Sequence, residues 1–92
     1  MEFLALLGKT LLLRPYVFLF LALALGVAAH CDACIDFHVQ ALVRLGTTKS
    51  ELEEVLGMAI YMGAGPAVMY ASHALEAFSQ FKAARAPVTA PA

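Results

Sequence analysis

The chain has 92 residues, of which 62% are hydrophobic and only 14% charged, against a usual ~45–50% and ~25%. That length allows one small domain, and the composition excludes both a disordered chain and a freely soluble monomer, since so short a sequence cannot hide this much apolar surface in its own core. Six basic and seven acidic residues, scattered along the chain, give a net charge of −1 and exclude nucleic-acid binding, which needs a clustered basic face.

The first informative stretch runs from Pro15 to Ala29 and carries no charged side chain. Spanning a bilayer takes about 20 apolar residues, whereas shorter runs mark core helices or signal-peptide segments. The expected reading is a helix buried in a bundle or at a subunit interface. Two alternatives stand beside it. A spanning helix over residues 11–29 would need Arg14 to snorkel to the interface, and a signal peptide would end at the small residues Val27, Ala28 and Ala29.

Residues 31–45 place Cys31, Cys34, His38, Leu42 and Leu45 at three- and four-residue steps, one stripe of a helix. An unbroken helix from Tyr16 to Leu45 would be unusually long, so a break is expected between Ala29 and Cys31, which puts the cysteines in a first turn. Asp32 suits that turn, because its carboxylate meets unpaired backbone N–H groups and the positive end of the helix dipole. Gly46 then stops the helix, and Thr48 with Glu51 forms a capping box that opens the next. Leu52, Val55, Leu56, Ala59 and Ile60 supply its apolar face. The run Met62-Gly63-Ala64-Gly65-Pro66 breaks it, and Pro66 begins a last helix with Ala67, Ala71, Ala74, Leu75, Phe78 and Phe81 inward. No strand pattern appears. The expected organisation is an N-terminal apolar segment (1–20), an all-α core (21–85) and a disordered tail (86–92).

Chemistry concentrates at Cys31, Cys34 and His38. A disulfide between cysteines three apart would staple almost nothing, so the pair reads as redox-active or metal-binding rather than structural. On a helix their Cα atoms lie about 5 Å apart, inside the ~4.4–6.8 Å window for a disulfide, so the pair can close and open without backbone movement. His38, one turn beyond Cys34, is placed to exchange a proton with that thiol. Inert buried packing is one alternative. Zinc held by Cys31, Cys34 and His38, with His30, Asp32 or His73 as a fourth ligand, is the other. Taken singly, His30 and His73 read as surface or interface residues. Tyr61, Tyr70, Met58, Met62 and Met69 read as core or interface packing.

From Ala22 through the Cys-x-x-Cys-x-x-x-His motif at Cys31, Cys34 and His38, the Gly46-Thr47-Thr48 turn and the Met62-Gly63-Ala64-Gly65-Pro66 turn to Phe78, the chain resembles the alkylhydroperoxidase and carboxymuconolactone decarboxylase family. That resemblance implies a small all-α bundle of the alkylhydroperoxidase-like type, assembled as a homo-oligomer, commonly a trimer or hexamer. Members with both cysteines are thiol peroxidases or reduce the disulfide of a partner peroxiredoxin, drawing on a thiol electron donor and needing no cofactor or metal. The resemblance assigns the sulfenic acid to Cys34, its resolution to Cys31 and the proton relay to His38. A cytoplasmic location is expected, with membrane attachment through residues 11–29 as the alternative. One departure stands out: the family's relay glutamate, twelve positions before the first cysteine, and the lysine before it are here Leu19 and Phe18. Without that carboxylate His38 has no orienting partner, and Asp36 cannot replace it, being two positions from both Cys34 and His38 on the helix surface.

Overall fold

The structure, a computed structural model, describes residues 15–85. Three helices account for nearly all of them: α1 (Pro15–Ala28), α2 (Asp32–Arg44) and α3 (Lys49–Arg85), each packed against the other two. No strand occurs among the described residues. The expected tail at 86–92 and most of the expected segment at 1–20 lie outside the described residues.

Pro15 opens α1 at no backbone cost, because the first N–H groups of a helix have no partner within it. The helix is apolar on every side, so packing alone selects its inner face. Leu23 and Val27, one turn apart, are fully buried, while Leu21 and Leu25 remain 60% and 68% exposed. The helix is therefore only half enclosed by its own chain. It ends in a Schellman turn: His30, at φ 56, sits in the left-handed region, Cys31 N–H donates to the Gly26 carbonyl (3.0 Å) and His30 N–H to that of Val27 (3.1 Å). The break expected between Ala29 and Cys31 is this turn.

Core contact in α2 comes from Ile35, Val39, Leu42 and Val43. The stripe expected from the sequence is thus displaced around the helix. Cys31, Cys34, His38 and Leu45 are half-buried along its flank, and only Leu42 lies at the centre of both. A second Schellman turn closes α2: Gly46 has φ 86, Thr47 N–H donates to the Leu42 carbonyl and Gly46 N–H to that of Val43. A side chain at this φ would be strained, which is why glycine stops the helix here. The Tyr16 hydroxyl donates to the Leu45 carbonyl and ties the start of α1 to this turn.

The capping box forms as expected, with Thr48 N–H donating to Glu51 Oε1 (2.9 Å) and Glu51 N–H to Thr48 Oγ1 (3.1 Å). Leu52, Leu56 and Ala59 are buried beyond it. At Ala64 the backbone leaves helical geometry (φ 54, ψ −131), which is the break expected over residues 62–66. After it Ala67, Ala71, Ala74, Ala77 and Phe78 are buried, with Leu75 and Phe81 half-buried against them. Ala77 is the one fully inward position that the sequence stripe omitted, and Tyr70, half-buried against the same core, is also outside it. Small residues along this stretch let α1 and α2 approach closely.

Candidate redox site

Cys31 and Cys34 are joined as a disulfide, with their Cα atoms 5.2 Å apart. The three-residue spacing on a first helical turn gives this separation directly. Cys31 is the N-cap of α2: its backbone is extended (φ −110, ψ 95), and its sulfur accepts the backbone N–H of Cys34 at 3.2 Å. It therefore meets one of the donors that a helix N-terminus leaves unpaired. Cys34, two residues into the helix, is held from the other side by α1. A Cβ added at Gly26 would lie 3.4 Å from the Cys34 Cβ and 3.6 Å from the Ile35 N, so α1 approaches the cysteine turn closely enough to leave room for one further methyl group and no more.

His38 lies one turn beyond Cys34 and is half-buried, its ring edge-on to Phe37 at 5.5 Å. Its Nδ1 is buried and has no hydrogen-bond partner among the described residues. Where the family pattern places the relay carboxylate, Leu19 is half-buried against the apolar core. A buried ring nitrogen with no partner does not fix the tautomer of the ring.

A second group of side chains surrounds Cys31. The His73 Nδ1 lies 2.7 Å from Asp32 Oδ1, an imidazole N–H donating to a carboxylate. Tyr70, one turn earlier on α3, meets the His73 ring edge-on at 5.1 Å and stacks on the ring of His30 at 4.6 Å and 3°. The two neighbours of Cys31 in the chain, His30 and Asp32, are thus each held by α3. Apart from naming His30, Asp32 and His73 as possible fourth zinc ligands, the sequence reading treats His30 and His73 as surface or interface residues and Tyr70 as core or interface packing. Their convergence was not readable, since Asp32 and His73 stand 41 positions apart and only the turn-length spacing of Tyr70 and His73 hints at a shared face.

Two depressions flank the site. One, of about 400 Å³, lies between α1 and the kink of α3; its lining is mainly apolar, with Leu25, Ala28, Met58 and Met62, and reaches His30. The other, an open cleft of about 310 Å³, is lined by Asp32, Asp36, His73 and Glu76. Zinc takes thiolates, the two sulfurs here are bonded to each other, and no group of three or more His, Cys, Asp or Glu side chains among the described residues is placed to hold a metal.

Comparison with known proteins places this architecture. The model of the carboxymuconolactone decarboxylase family matches residues 13–77, and the chain belongs to that family, which includes alkylhydroperoxidase-like members. The crystal structure of a carboxymuconolactone decarboxylase family protein from Legionella pneumophila superposes with a TM-score of 0.69 at 38% identity, over 88% of this chain and 91% of that one. An uncharacterized protein of Cupriavidus necator is 44% identical over 63 residues, 68% of this chain. The matched region spans 56% of that relative's length.

Proposed function

We propose that the protein is a thiol-dependent oxidoreductase of the alkylhydroperoxidase-like type, which reduces a peroxide or the disulfide of a partner peroxiredoxin through Cys31 and Cys34. The observation that carries this reading is the Cys31–Cys34 disulfide in the first turn of α2, one turn ahead of His38. With a peroxide, the reduced pair supplies two electrons: one thiolate takes the terminal oxygen, releasing the alcohol, and the second thiol displaces that oxygen as water to leave the disulfide. A thiol donor then returns two electrons and two protons. The apolar cavity beside His30 suits the organic part of a hydroperoxide.

The same reading includes a homo-oligomer, trimer or hexamer. Tyr61 and Met62 are 81% and 76% exposed, and the open face of α1 adds Leu21 and Leu25, apolar side chains that a contact between subunits would cover. It also includes a cytoplasmic location. The test is turnover of an organic hydroperoxide or an oxidised peroxiredoxin with a dithiol donor, together with the size of the native assembly. Turnover that disappears when either cysteine is changed to serine supports the reading.

A second reading is favoured by the unpartnered Nδ1 of His38 and by the leucine at position 19, where the resemblance puts the relay carboxylate. It is a weakly active relative that keeps the helical assembly. Turnover no faster than that of a free dithiol would select it.

A further inference from the structure

We propose that in this chain Cys31, and not Cys34, is the thiolate that attacks, and that Tyr70 and His73 of α3 are its positioning residues. The proposal rests on the dithiol reading above and allots the two sulfurs their roles. Both cysteines are half-buried, so exposure does not choose between them. Their surroundings do.

Reduction leaves one sulfur at the N-cap and the other inside the first turn. The N-cap sulfur is the one that receives a backbone N–H, from Cys34 at 3.2 Å, at the positive end of α2. Such a donor stabilises the thiolate over the thiol and lowers the pKa of a cysteine at a helix N-terminus. Cys34 is offered no comparable donor among the described residues. The imidazole one turn away has no carboxylate to orient it, and the Cys34 Cβ is packed against the backbone of α1 at Gly26.

Among the described residues, the ionisable groups at this end of the bundle are His30 in the turn, Asp32, Asp36 and His38 on α2, and Tyr70, His73 and Glu76 on α3; α1 brings none. The carboxylates oppose a thiolate. The Asp32 side chain is 60% exposed, however, so water screens it, and it is already bonded to His73, whereas the Cys34 N–H touches the Cys31 sulfur directly. The direct donor outweighs the screened charge. The same His73 bond, with the Tyr70 stack on His30, holds the residues on either side of Cys31 and so keeps its sulfur at the cap.

With a disulfide substrate, the Cys31 thiolate attacks one substrate sulfur, the substrate S–S bond breaks and the departing thiolate takes a proton. Cys34, deprotonated, then attacks the Cys31 sulfur of the mixed disulfide, releasing the second substrate thiol and closing the Cys31–Cys34 bond. Two electrons pass from the pair to the substrate.

The test is alkylation of the fully reduced wild-type protein with substoichiometric iodoacetamide at pH 6.5, mapped by peptide mass, beside a separate sample in which closure of the disulfide by an organic hydroperoxide is followed. Each unit of pKa lowering gives about tenfold more thiolate but a less nucleophilic one, so Cys31 should carry at least about threefold more label than Cys34. His73→Gln should reduce that ratio, and Tyr70→Phe, which keeps the stacking ring, should preserve it. Equal labelling, or Cys34 labelled first, overturns the assignment while disulfide closure still upholds the dithiol reading. A pair that does not close overturns both.

Discussion

The sulfur of Cys31 caps the helix that carries Cys34, accepting its backbone N–H at 3.2 Å. The Schellman turn at His30 delivers Cys31 to that position, so the end of α1 and the start of α2 are built as one unit around the cysteine pair. Changing either sulfur therefore affects both chemistry and a cap. Cys31→Ser and Cys34→Ser should each lower peroxide turnover by more than about 10²-fold, and Cys34→Ser should leave the trapped species, a sulfenic acid or mixed disulfide, on Cys31. Mass analysis after treatment with a sulfenic-acid probe reads the outcome. A Cys34→Ser variant as active as wild type would refute the redox mechanism.

Gly26 sets the distance between α1 and the cysteine turn. With the Cys34 Cβ and the Ile35 N at 3.4 and 3.6 Å from the position a β-carbon would take at residue 26, alanine fits in ordinary contact, and a valine's two further methyl groups do not. Gly26→Ala should be neutral or slightly stabilising. Gly26→Val should cost about 1–3 kcal/mol in denaturant unfolding, with the loss arising from overpacking.

Ala64 occupies a backbone conformation (φ 54, ψ −131) that favours glycine. Relief of that strain is worth about 1–3 kcal/mol, less the greater freedom glycine has in the unfolded chain. Ala64→Gly should raise stability by about 1 kcal/mol and the melting temperature by several degrees. A fall in stability would mean that the turn is held without strain.

Leu19 stands where the family pattern has a carboxylate, and the buried Nδ1 of His38 has no partner. Leu19→Glu should lower stability by about 2 kcal/mol, because a carboxylate replaces an apolar side chain against the core. It should raise the rate of any step in which His38 moves a proton, toward the ~10²–10⁴-fold that a positioned acid–base group contributes. A stable variant with no gain in the rate of disulfide closure would show that residue 19 does not reach His38.

The sharpest local chemistry was legible from the chain alone. The capping box of Thr48 and Glu51, the stop at Gly46, the break around Ala64 and the cysteines in a first turn all follow from short-range rules about unpaired backbone groups and allowed φ values. Packing directions were less legible. In α1 every residue is apolar, so periodicity cannot distinguish the buried Leu23 and Val27 from the exposed Leu21 and Leu25. In α2 the spacing of the cysteines and His38 imitates a core stripe, yet Ile35 and Val39, one position further on in each case, take the centre. Least legible was the contact of His73 with Asp32, because it depends on how α3 returns past α2 after the kink.

The central claim is that Cys31 and Cys34 are a working redox pair, and single-turnover oxidation tests it most directly. Reduced protein is mixed with an organic hydroperoxide, thiol loss is followed in time, and the product is mapped by mass. The account predicts a loss of two hydrogens, located to a Cys31–Cys34 disulfide, faster than free cysteine reacts under the same conditions. Thiols that stay inert in the folded protein and react only after unfolding would contradict it, and would make the pair a packing element of the turn.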